Sequence, residues 1–129
     1  MATIKEDYVS FETAKLLKEK GFKTPVETGY YGDGRICHNL ALDFMDYNHE
    51  DGYYSRPTIQ MAMKWLREVH NIVIQVELID FLEHGEVWLY SVIERKTIKQ
   101  LTDGDEDFTE NSYEEACEAA IKYCLEHLI

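Results

Sequence analysis

The chain has 129 residues, 45% hydrophobic and 29% charged, a length and balance suited to one folded domain spanning 1–129 and not to a disordered polymer. Its 25 acidic residues against 13 basic ones give a formal net charge of −12, which repels phosphate backbones and anionic head groups and so argues against nucleic acid and membrane as partners. No apolar run is long enough to span a bilayer, the amino terminus lacks a basic-then-apolar leader pattern, and the cysteines Cys37, Cys117 and Cys124 suit reduced thiols, so a cytoplasmic location is expected.

Ser10 is placed to cap a helix over 11–20, with Val9 positioned to staple onto Ala14 and Gly21 to end it. Phe11, Ala14, Leu16 and Leu17 form its apolar stripe, and Lys23-Thr24-Pro25 breaks the chain. Residues 27–31 and 35–42 flank Gly32-Asp33-Gly34 and read as a hairpin, although Leu40 to Met45 also fits a helical pattern. Asp46 to Tyr54 is too rich in Asp, Asn and His for a core and reads as a loop.

A second helix is expected over 57–70, with Ile59, Ala62, Met63, Leu66 and Val69 on one face, Met61 and Trp65 widening it, and Lys64, Arg67, Glu68 and Asn71 opposite. Ile72, Ile74, Val76 and Leu78 then alternate with Gln75 and Glu77, the period of a half-buried strand. A loop over 80–85 leads to a returning strand over 87–93, and residues 97–101 suggest a shorter third one. Ser112-Tyr113-Glu114-Glu115 matches a capping box opening the last helix, which should run to His127 and bury Tyr113, Ala116, Cys117, Ala120, Ile121, Cys124 and Leu128. The order α-ββ-α-ββ-α predicts an α+β fold in which a mainly antiparallel sheet, built from two hairpins, packs with three helices.

Three pieces of this pattern resemble a group of small uncharacterised proteins of gut-bacterial genomes, prophages and phages that share a Pro-Thr-Gln and Lys-Trp-Leu-Arg-Glu-Val centre. They are Leu16 to Phe22, Pro57-Thr58-Ile59-Gln60 continuing through Lys64 to Ile72, and Tyr113 to Ala120. The chain departs from the group at Ile59, where glutamine often follows Pro-Thr directly. The resemblance spans most of the chain and implies a cytosolic accessory protein encoded on a mobile element; it brings no activity.

Four constellations bear on chemistry. Asp103, Asp105, Asp107 and Glu114 stand at the first, third, fifth and twelfth positions of a calcium-loop spacing, but Phe108 takes the sixth position where such loops need glycine, and acids before a helix are favoured by its dipole alone. Cys117, Cys124 and His127, with Cys37 or His38 as a fourth ligand, would suit zinc, yet small thiols on an alanine-rich helix are ordinary core residues. Cys37 and His38 are neighbours that point to opposite faces of a strand, which argues against a catalytic dyad, and His49, His70 and His84 sit in or near loops, where histidines are usually solvated. Tyr30, Tyr31, Tyr47, Tyr53 and Tyr54 crowd one region and could form a protein-contact surface or cover the chain's own core.

The expectation is therefore a non-catalytic accessory or protein-interaction module that needs no cofactor and meets another protein through the tyrosines and the acidic surface. A second copy of the chain is an allowed partner, and the acidic stretch 103–118, free of Lys and Arg, would also suit mimicry of nucleic acid. The competing expectation is a calcium- or zinc-binding or small catalytic protein built on the acidic loop or the cysteine-bearing helix.

Overall fold

A computed structural model describes residues 3–38, 43–81, 85–102 and 108–129. The fold is α+β, with antiparallel pairing throughout its two sheets. Backbone contacts group the chain into two compact units, Met1–Met61 and Ala62–Ile129.

The first unit opens with α1 (Phe11–Glu19). The Ser10 side chain accepts the Thr13 N–H at 3.2 Å, and Val9 and Ala14, the two residues of the expected staple, are both fully buried. At the other end Gly21 adopts φ +90°, and the Phe22 and Gly21 N–H groups donate to the Leu17 and Lys18 carbonyls. This pair of bonds satisfies carbonyls that the helix would otherwise leave open, while Leu17 and Phe22 are buried.

Strands β1 (Thr28–Tyr31), β2 (Ile36–His38) and β3 (Tyr53–Ser55) form a three-stranded sheet in the order β2-β1-β3. The expected turn at Gly32-Asp33-Gly34 is present: Tyr31 N–H donates to the Arg35 carbonyl, and Gly34 takes the left-handed conformation at φ +90°. Residues 39–42, which include the first half of the alternative helical stretch, lie outside the described residues. The segment expected to be a loop over 46–54 instead makes a single 3-10 turn (Tyr47–His49) and then enters β3. Asn48 organises this change, donating its side-chain amide to the Phe22 carbonyl and accepting the Ser55 N–H, so a polar residue here secures the interior backbone.

Helix α2 (Ile59–His70) starts two residues later than expected, with the Thr58 hydroxyl accepting the Met61 N–H at 3.1 Å. Ile59, Ala62, Met63, Trp65 and Leu66 are buried as the apolar pattern requires. Val69 corrects that pattern: the helical spacing sets it on the same face, but it is 57% exposed.

In the second unit β4 (Ile72–Phe81) and β5 (Gly85–Glu94) pair over ten residues in unbroken register from Ile72↔Glu94 to Phe81↔Gly85. Two short strands, β6 (Lys99–Gln100) and β7 (Thr109–Glu110), occupy the other edge of β5. Helix α3 (Tyr113–His127) packs on β4 and β5. Ser112 caps it by accepting the Glu115 N–H, and Ala116, Cys117, Ala120, Ile121, Cys124 and Leu125 are fully buried. Leu125 thus takes the interior place expected of Leu128, which falls at the helix cap.

The two hairpins do not merge into one sheet. β3 fills the free edge of β1, and β6 with β7 fill that of β5, so each hairpin finds its hydrogen-bonding neighbours within its own unit. No helix among the described residues is long and apolar enough to cross a membrane.

Candidate interaction surface

Cross-strand register sorts the tyrosines by face. Tyr30 pairs with Tyr54 and Tyr31 with Tyr53, and successive side chains of a strand alternate, so the first pair and the second point oppositely. Phe11 of α1 meets Tyr30 and Tyr54 edge-on at 5.4 and 5.5 Å, which identifies their face as the one that α1 covers. Tyr30 is 8% exposed, and its hydroxyl donates to the Val9 carbonyl at 2.6 Å. Lys18 bridges over Tyr54, its Nζ lying 4.9 Å from the ring centre while donating to the Glu50 and Tyr53 carbonyls, both at 2.9 Å.

The opposite face carries Gly29, Tyr31, Cys37, Tyr53 and Ser55, by the same alternation. Tyr47 lies flat against it at Gly29, where a Cβ would stand 2.7 Å from the ring, and is only 3% exposed. Tyr31 and Tyr53 remain half-exposed, their ring centres 5.6 Å apart, with the Arg35 guanidinium 5.1 Å from the Tyr31 ring centre. The expectation of a surface made by all five tyrosines therefore needs correction: Tyr30 and Tyr47 are interior, Tyr54 is partly roofed by Phe11 and Lys18, and Tyr31 with Tyr53 form the open pair.

Hydrogen bonds, burial and one ion pair set the ionisation of this face. The Tyr31 phenol is held above its ordinary pKa of 10.0, first by its hydrogen bond with the Cys37 thiol and then by the charge that thiol would carry. Burial raises Tyr47 in the same sense. Asp33 is held below its ordinary value by the Arg35 backbone N–H and then by the Arg35 guanidinium, whose Nε lies 2.6 Å from its carboxylate, so it stays ionised and paired. Both phenols therefore keep their protons at neutral pH, beside an ion pair whose carboxylate stays charged.

The other expected sites fare differently. Asp103, Asp105 and Asp107 lie outside the described residues, and Glu114 is exposed in the first turn of α3. Among the described residues no three His, Cys, Asp or Glu side chains come together as a metal site. Cys117 and Cys124 are fully buried in the α3 stripe, and burial raises both thiols, Cys124 to about 12, so neither forms a thiolate at neutral pH. His127 is exposed, with its ring 4.9 Å from that of Tyr123. Cys37 is half-buried on the tyrosine face, and the side chain of His38 lies outside the described residues, as does His84.

His70 is not a solvated loop residue: it ends α2 with its ring 4.7 Å from Trp65, its Nε2 is buried, and burial holds its pKa below 6.5. Gly29, Lys18 and Asn48 were absent from the sequence-based candidates although Gly29 seats Tyr47, Lys18 covers Tyr54 and Asn48 holds the Ser55 backbone. The glycine inside a strand pattern and the Asp51-Gly52 turn signal before Tyr53 were the available clues. Compared with protein-family models, curated proteins and solved structures, the chain matches none.

Proposed function

We propose that the chain is a non-catalytic protein-interaction module, a cytosolic accessory protein of a mobile genetic element, that meets a protein partner with the half-exposed Tyr31 and Tyr53 part of the first sheet, on the face opposite α1. The observation that carries this reading is the half-exposed Tyr31 and Tyr53 pair, set side by side on a rigid strand pair away from α1. Tyrosines held this way offer broad apolar contact with a polar tip and lose little side-chain entropy on binding. Arg35 beside them adds one guanidinium, the side chain most suited to an interface already built of aromatic rings. The net charge of −12 supports a protein partner over a polyanion. The likeness of the Pro57 to Ile72 segment to small phage and prophage proteins supports the accessory role.

The test is crosslinked capture from the native host with the wild-type chain and with a Tyr31→Ala, Tyr53→Ala double variant, alongside a Phe44→Ser control at another exposed apolar side chain. The double variant should lose its partner by about tenfold or more, as truncated aromatic anchors do, while the control keeps it. An unchanged partner set in the double variant would defeat the proposal.

A further inference from the structure

We infer that the open edge of β4 is a self-association surface, on which two copies of the chain pair β4 antiparallel to β4 about a two-fold axis at Val76 and join their second sheets into one. β4 bonds to β5 along its whole length without a bulge, and among the described residues no strand lies on its other side. The direction of its free backbone groups follows from its neighbours. The Arg95 N–H donates to the Asn71 carbonyl, so the residues in step with Asn71 turn their backbone toward β5. Val92, opposite Ile74, has both groups engaged on its far side, its carbonyl by the Leu101 N–H and its N–H by the Thr102 hydroxyl. Ile72, Ile74, Val76, Leu78 and Asp80 therefore present a row of N–H and C=O groups to the open edge. Edges are commonly blunted by proline, a bulge or charged side chains; β4 has no proline, lysine or bulge, and its charged residues are Glu77 and Asp80.

The order of the side chains commits the occupant to a second copy. About Val76 the central residues 73–79 are a palindrome of residue character, since Val73 answers Ile79, Ile74 answers Leu78, and Gln75 answers Glu77; only beyond them does the match end, with Ile72 facing Asp80. An antiparallel copy centred there sets each Gln75 amide opposite a Glu77 carboxylate and each remaining member of these pairs against an apolar partner. It also places Leu78, 53% exposed, beside Ile74 of the second copy. Moving the axis to Glu77 would set carboxylate against carboxylate, and moving it to Gln75 would leave each Glu77 against Val73. This surface belongs to the second unit and stands whether or not the tyrosine face holds a partner.

Sedimentation equilibrium of the full chain tests it. The mass should rise from 15.2 kDa toward twice that value with concentration. Gln75 is exposed, so substitutions there leave the fold intact, as far-ultraviolet dichroism and the thermal midpoint would verify. Gln75→Glu sets two carboxylate pairs across the axis and should weaken the dimer about tenfold, whereas Gln75→Lys sets two opposite-charge pairs and should tighten it by a similar factor. A chain that stays monomeric at every concentration overturns the inference. So does a dimer that responds to neither substitution, or to both in the same direction.

Discussion

A methyl group at Gly29 has no room: besides the Tyr47 ring at 2.7 Å it would meet the Tyr54 carbonyl oxygen at 2.9 Å. Gly29→Ala must lift Tyr47 from the sheet, and an overpacked site of this kind costs about 1–3 kcal/mol, to be read from urea midpoints. Glu110 gives a prediction of opposite sign. Burial, and then the charge of Glu115, raise its pKa above the ordinary 4.5, so its contribution to stability is fully present below that value and is lost as pH rises through the folded-state pKa. Glu110→Gln should therefore raise the thermal midpoint at pH 7, and the gain over wild type should vanish on acidification below 4.5. At this scale the sequence showed that five tyrosines crowd one region, but not which of them stay open. Adjacent residues such as Tyr30 and Tyr31 go to opposite faces, and only the position of α1 decides which face is covered.

The ends of helices were legible because their signals are local. Ser10, Gly21 and Ser112 act within three or four residues, and each stands where the reading put it. Nothing lies within 4 Å of a Cβ built on Gly21, so Gly21→Ala should cost about 1 kcal/mol through its positive φ alone. Ser112→Ala should cost a similar amount, about 1 kcal/mol, through the lost bond to Glu115; both are measurable by urea titration. Of the short strands, Lys99–Gln100 falls within the third strand expected over 97–101, whereas the other two were not legible in the same way. Tyr53–Ser55 and Thr109–Glu110 are too brief to show a period of two, and they are strands because β1 and β5 offer them an edge. The long pair β4 and β5 outran its expected bounds for the same reason, each strand extending the other as far as the Phe81↔Gly85 pair.

Across the whole molecule the surplus of 12 negative charges sets the response to salt. Raising sodium chloride from about 50 to about 500 mM shortens the range of repulsion, so the thermal midpoint should rise and the β4-edged dimer should tighten, as calorimetry and sedimentation would report. A dimer held by ion pairs would loosen under the same change. What the sequence determined by itself was the α+β class, three helices, two hairpins and an acidic exterior, because each depends on spacing among near neighbours or on composition. The tertiary structure decided that the hairpins build two sheets, that Tyr31 and Tyr53 stay half-exposed while Tyr30 and Tyr47 go inside, and that, among the described residues, no strand pairs with the second edge of β4. Those outcomes depend on hydrogen-bond partners and covering side chains that lie far apart along the chain, where no local pattern records them.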